Sequence, residues 1–171
     1  YGSKRSCLSD LSEFKLISPY TFLNDKFYDE VDPAKFPKLI TRYRNPYFKE
    51  FVNLNNEQWN NLFGKFESPM LPKIKNIAMR YHGHQFQVYN PDIGDGRGFT
   101  IAQFYKNKEL YDLGTKGSGV TPYSRSGDGR LTLKGGVREV LCSNYLDALG
   151  VNTSKSLSLI ETGEHLSRND E

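Results

Sequence analysis

Glycine placement constrains this chain more than any other feature: eleven of its 15 glycines lie between Gly83 and Gly136. Glycine reaches backbone conformations closed to other residues and weakens helices. A stretch so rich in it favours short strands joined by tight turns. Gly98–Tyr105 reads as a strand, Lys106-Asn107-Lys108 as a turn and Glu109–Lys116 as a second strand, which predicts an antiparallel hairpin.

The flanks read differently. A helix is expected from about Leu133 to Leu149, with Thr132 as N-cap and Gly150 just past its end. Its apolar residues Val137, Leu141, Tyr145 and Ala148 or Leu149 recur at helical spacing. Gly135 and Gly136 in its first turn call for close backbone packing to offset about 1 kcal/mol each. Ser156–Ile160 alternates as a strand would. Toward the N-terminus, Asp32-Pro33, Phe36-Pro37 and Asn45-Pro46 disfavour helix, so residues 22–53 should be extended segments wrapping another surface through Phe and Tyr. Asn55–Phe66 and Lys73–Tyr81 are each expected to be a short helix, the second presenting Ile74, Ile77, Ala78 and Tyr81 on one face. Residues 1–20 are expected to be poorly ordered at the start.

A chain of 171 residues with 22 Phe and Tyr can bury a core without disulfides or metal. The net charge of +3 is spread along the chain, with no Lys/Arg stripe of the kind nucleic-acid binding uses. Cys7 and Cys142 lack a CxxC partner or a nearby His, which argues against a zinc site and suits a reducing compartment. No apolar run approaches a membrane span, and no signal peptide is visible. The chain starts at Tyr1 rather than Met, as a processed protein or part of a longer one would.

Several residues could carry chemistry. Glycines at 94, 96 and 98 let the backbone of Ile93–Gly98 turn sharply, and successive N–H groups in such a turn can form an anion-binding nest, to which Arg97 adds charge. Lys116 ends a strand and precedes more glycines, a position from which its ammonium can hold a phosphate. Glu139, 23 residues later in the expected helix, could balance it. Asp128-Gly129-Arg130 repeats Asp95-Gly96-Arg97, giving two turns with similar anion contacts or two loops bridged by salt links. Either aspartate could accept from a ligand's hydroxyls or amines, or cap its own turn. His82 and His84 alternate around Gly83 without a third metal ligand and read as structural.

Together these motifs closely resemble the selenoprotein O family. The match is carried by Tyr81–Phe86, Ile93–Arg97, the run from Lys116 to Arg130, Val137–Ser143 and Thr162-Gly163-Glu164, over about residues 78–168. Departures fall at Gln87, where the family has Gly, at Gly98, where another small residue is usual, and at Lys134–Gly136, which replaces Arg-Ser-Ser. The resemblance implies an α+β, protein-kinase-like N-terminal lobe: an antiparallel sheet with a long helix carrying the ion-pair glutamate. Residues 78–171 would form that nucleotide-binding lobe and residues 1–77 an extension wrapping it. It implies ATP bound in a flipped orientation and transfer of AMP to Ser, Thr or Tyr hydroxyls of proteins.

By the same resemblance, Gly94, Gly96 and Arg97 cover the nucleotide, Lys116 contacts its phosphates and pairs with Glu139, and Asp128 and Gly129 help hold it. The Mg2+ ligands and the catalytic base are expected in a C-terminal catalytic lobe absent from these 171 residues. The expected partners are therefore ATP, protein substrates and that lobe or another subunit, with no nucleic acid. The expected location is mitochondrial in a eukaryote and cytoplasmic in a bacterium. A non-catalytic, pseudokinase-like structural or partner-binding subunit, and ordinary phosphoryl transfer, are the competing readings.

Overall fold

The computed structural model describes residues 14–18, 20, 22–73 and 75–168. The start of the chain, including Cys7, and Ile74 lie outside them. The fold is α+β, with antiparallel sheets and few helices.

The main sheet is built around β6, Thr100–Lys106, whose first five residues are all buried. Such a run fits a strand covered on both faces. It pairs with β7, Glu109–Gly114, through the two-residue turn Asn107-Lys108. Both turn residues have positive φ, 52° and 68°, matching the twist of the hairpin strands. On its other side β6 meets β3, Asn76–Met79, which pairs with β1, Tyr28–Val31, to give the order β1-β3-β6-β7. The 77/78 division falls inside β3, and residues on both sides of it share this sheet.

The helix expected over Lys73–Tyr81 is therefore corrected to a strand. Ile77 and Ala78 are consecutive and both buried, at 3% and 0% exposure, as a strand between two neighbours allows. Pairing of Asp29 with Ala78 and of Ile77 with Thr100 outweighs a helical spacing only nine residues long.

The core is aromatic. Phe104 on β6 meets Phe51, Phe14 and Phe48 edge to face at 5.8, 5.6 and 6.5 Å and stacks on Tyr111 at 5.5 Å. The Pro-rich region contributes Phe48 and the three-residue 3₁₀ turn Lys49–Phe51 to it. Helix α1, Asn56–Asn60, starts with a full capping box between Asn55 and Gln58. It widens into a π turn over Asn61–Lys65 and ends at left-handed Phe66. Trp59 and Leu62 from this element are buried, and the Trp59 indole N–H donates to Ser158 Oγ at 2.9 Å.

Two small sheets complete the fold: β2, Ile40–Arg44, with β8, Ser158–Glu161, and the hairpin β4, Gly83–Gln85, with β5, Val88–Asn90. Helix α2, Leu133–Ala148, begins at Thr132, whose side chain accepts from the Gly135 N–H. It packs against β8, and Gly136 and Val140 are its two buried residues. A Cβ at Gly136 would sit 2.6 Å from Leu159 Cδ1, so glycine sets how closely the helix can approach.

That docking turns the expected apolar face outward. Val137, Leu141, Tyr145 and Leu149 are 41%, 63%, 66% and 61% exposed. The side that packs is chosen by a glycine and by polar ties, Ser143 to Ser156 at 2.8 Å and Asn144 to Tyr43 at 3.0 Å.

Candidate functional site

The loop between β5 and β6 is fixed at its start by two backbone bonds: the Gly94 and Asp95 N–H groups donate to Tyr81 and Met79 carbonyls at 3.1 and 3.0 Å. The Asp95 carboxylate turns back onto the same strand. It accepts from the Met79 N–H at 2.9 Å and from the Tyr81 hydroxyl at 3.1 Å. Of the two roles open to Asp95, the geometry gives it the structural one. Gly94 is buried at φ +48°, and a Cβ there would lie 2.2 Å from the Tyr123 ring. Arg97 differs from its neighbours: it is exposed, and its guanidinium makes no hydrogen bond or ion pair among the described residues.

The second loop runs from Lys116 to Arg130. The Lys116 ammonium donates to Glu139 Oε1 at 2.6 Å, joining the end of the β6–β7 hairpin to α2. Both side chains are about half exposed, at 45% and 50%, so the pair is reachable from solvent. Within the loop the chain crosses itself: the Gly119 N–H donates to the Gly129 carbonyl at 3.2 Å. Asp128 next door accepts from Arg168 on both oxygens, at 2.8 and 2.7 Å, and from the Arg130 N–H at 3.0 Å. The Arg168 guanidinium holds its carboxyl below the usual aspartate range. Arg130 forks onto Glu164 at 2.7 and 3.0 Å and lies over the Phe36 ring at 5.3 Å.

These elements surround a cleft of about 360 Å³ along α2, from Gly135 to Leu146. Its lining includes Arg97, Arg130, Arg138, Arg168 and Glu139, together with Cys142, Thr153 and Ser154. Arg130 and Arg168 are balanced by Glu164 and Asp128, and Arg97 adds a guanidinium without a partner among the described residues, which suits an anionic ligand. Of the expected site residues, Arg97 and Glu139 line the cleft directly. Lys116 and Asp128 contact lining residues through Glu139 and Arg168. Gly94, Gly96 and Gly129 do not line it; Gly94 and Gly96 pack on the turn at Tyr123, and Gly129 on Gly119.

The two Asp-Gly-Arg turns do not bridge each other; they deliver Arg97 and Arg130 to the same cleft. Arg168 escaped the sequence reading because nothing local marks a residue 40 positions from its partner Asp128. His82 and His84 both contact the Tyr89 ring, at 5.6 and 5.5 Å, and no group of three metal-binding side chains occurs among the described residues.

The model of the family described as Protein adenylyltransferase SelO matches residues 11–171 of this chain. The chain belongs to the SelO family. Its similarity to that family thus reaches well N-terminal of the motif-bearing stretch from residue 78 to 168. The protein nucleotidyltransferase YdiU of Synechococcus elongatus is 52% identical over 160 residues, covering 89% of this chain and 31% of the relative. That of Trichodesmium erythraeum is 54% identical over 157 residues, 87% of this chain and 32% of the relative. The Vibrio cholerae protein of the same name is 37% identical over 145 residues, 84% of this chain and 30% of the relative. The chain therefore spans about a third of the length of these SelO-family relatives.

One departure from the SelO pattern has a visible geometry. Gln87 and Phe86 form the tip of the β4–β5 hairpin with φ of 65° and 53°. Glycine adopts that conformation without steric cost. Gln87 adopts it here, and Phe86 beside it is 89% exposed.

Proposed function

We propose that this chain is the nucleotide-binding lobe of a protein adenylyltransferase of kinase-like fold, which in full-length form transfers AMP from ATP to Ser, Thr or Tyr hydroxyls of proteins. The observation that carries the reading is the Lys116–Glu139 contact of 2.6 Å beside a cleft that also receives Arg97. A lysine held by a helix carboxylate at the end of a strand is pre-aimed at a phosphate. Glu139 orients the ammonium, and Arg97, carried by the loop of residues 94–97, supplies a second cation. SelO-family membership and relatives named protein nucleotidyltransferase support AMP transfer over phosphoryl transfer.

Nucleotide phosphates fit the donors present, but Mg2+ does not. Among the described residues no three His, Cys, Asp or Glu side chains converge, and Glu139 is already held by Lys116. Its ligands, with the catalytic base, are therefore assigned to the rest of the full-length protein.

That remainder also has a seat. Leu133, Val137, Leu141, Tyr145 and Leu149 leave an apolar stripe uncovered along one 16-residue helix. The relatives carry about two thirds of their length outside the matched region, enough to cover it. The stripe is assigned to a protein contact with that remainder.

The deciding experiment supplies the full-length protein and a protein acceptor with ATP labelled at either the α or the γ phosphorus. Retention of α label on the acceptor is expected. Incorporation of γ label alone would mean phosphoryl transfer, and incorporation of neither would favour a pseudokinase-like subunit.

A further inference from the structure

The Thr-Pro-Tyr-Ser run at 121–124 is the most distinctive part of the second loop, yet none of it lines the cleft. Its three polar side chains each address one of three successive residues in the first loop. The Tyr123 ring fills the space over Gly94. Thr121 Oγ1 donates to the Asp95 carbonyl, and Ser124 Oγ donates to the Gly96 carbonyl at 2.6 Å.

The two hydroxyls have no freedom to turn elsewhere. Thr121 Oγ1 also accepts from the Tyr123 N–H at 3.1 Å, and Ser124 Oγ accepts from the Thr121 N–H at 2.9 Å. A hydroxyl has a single proton, so each is committed to the glycine loop. The turn itself is anchored. Tyr123 Oη donates to Asp29 Oδ2 at 2.5 Å, and Asp29 is gripped by Arg80 through Nε at 2.9 Å and Nη2 at 2.5 Å. Thus β1 and the end of β3 hold the turn, and the turn holds the loop.

A loop with glycines at 94, 96 and 98 has much conformational entropy to lose when a ligand orders it. Order already present in the free protein lowers that cost of binding. We propose that Thr121, Tyr123 and Ser124 are positioning residues that hold the glycine loop and Arg97 ready, so that nucleotide affinity depends on side chains which do not line the nucleotide cleft. This rests on the nucleotide-binding reading above and adds to it where the loop's order originates.

The test compares the full-length protein with its Thr121→Val, Ser124→Ala and double variants; Ser124→Thr, which keeps the hydroxyl, is the rescue. Two readouts are taken well below the melting temperature: amide hydrogen exchange at Gly94 and Asp95, and ATP affinity by calorimetry. Each lost hydroxyl should speed exchange at those two amides by about 2- to 10-fold, leave β6 amides unchanged and weaken ATP binding by a similar factor. Ser124→Thr should behave as the parent. Unchanged exchange at Gly94 and Asp95 in the double variant overturns the proposal, as does faster exchange with unaltered ATP affinity. A rise in exchange shared equally by β6 also overturns it, because the hydroxyls would then serve global stability alone. If the full-length parent binds no ATP, the nucleotide reading fails; faster exchange confined to the loop still supports the holding role in that case.

Discussion

The self-crossing of the second loop gives the sharpest stability prediction. Gly129 is buried at φ +68°, and a Cβ added there would lie 2.1 Å from the Gly119 carbonyl oxygen. Contacts below 3.0 Å are essentially never made by real Cβ atoms, and the obstacle is backbone, not a flexible side-chain end. Gly129→Ala thus incurs the left-handed penalty of about 1–2 kcal/mol. It must also spread two backbone segments, at about 1–3 kcal/mol for overpacking. The Gly119–Gly129 hydrogen bond is stretched as well, worth about 1 kcal/mol. Gly150 provides the control: its φ is +77°, but nothing lies within 4 Å of the added carbon. Gly150→Ala should show the conformational penalty by itself.

Both variants are compared with the parent by thermal melts and urea titration. At about 2–4 °C per kcal/mol for a chain of this size, Gly150→Ala should lower Tm by a few degrees. Gly129→Ala should lower it by about 10 °C, with an unchanged urea m-value marking the same unfolding transition. Equal losses in the two variants would refute the reasoning, since the backbone crossing would then add nothing to the left-handed strain.

Lys116→Ala should weaken ATP binding, measured by calorimetry, while Tm moves by no more than about 4 °C, because a half-exposed ion pair is worth at most about 1 kcal/mol; unchanged affinity removes the role given to Lys116. Leu141→Glu combined with Tyr145→Glu should leave the Tm of the 171-residue chain near the parent value, since both side chains are over 60% exposed, yet lower that of the full-length protein by several degrees. Equal Tm values in both contexts would mean that the stripe stays uncovered. Acid should destabilise the fold through Asp29 and Asp128, whose carboxyls are held below the ordinary range, chiefly by hydrogen bonds from Arg80 and Arg168. Their contribution is complete above the unfolded aspartate pKa of about 3.9 and is lost as pH falls through the lower folded values. Arg80→Gln should flatten the acid limb of a urea-midpoint profile between about pH 5 and 2.

Local signals sufficed where an element is defined by its own ends. Thr132 and Gly150 bracket α2, and the two-residue turn at Asn107-Lys108 bounds β6 and β7. They failed where partners are distant. Strand β3 exists because Tyr28 lies opposite Met79, 51 positions away in sequence, and no window around Lys73–Tyr81 contains that information. The packed side of α2 was missed for a related reason. Apolar periodicity marks the side of a helix that is to be covered, and in a chain spanning about a third of its relatives' length the cover can lie outside the chain. Glycine and serine, which carry no apolar signal, mark the side docked here.

The paired Gly-Asp-Gly-Arg sequences show how far a motif can be read without its surroundings. At 94–97 the left-handed residue is the first glycine, at φ +48°; at 127–130 it is the second, at φ +68°. The same four residues therefore make two different turns. Their aspartates part company too: Asp95 caps a strand-edge N–H and a tyrosine, while Asp128 receives a guanidinium from near the described end of the chain. Only the last position keeps its meaning, since Arg97 and Arg130 reach one cleft from opposite loops. Even there the roles divide, because Arg130 is clamped by Glu164 and Arg97 has no partner among the described residues. A clamped arginine shapes the field of the cleft without moving, whereas an unpaired one can follow a ligand. Replacing Arg97 should therefore reduce nucleotide affinity at unchanged stability, and replacing Arg130 should reduce both.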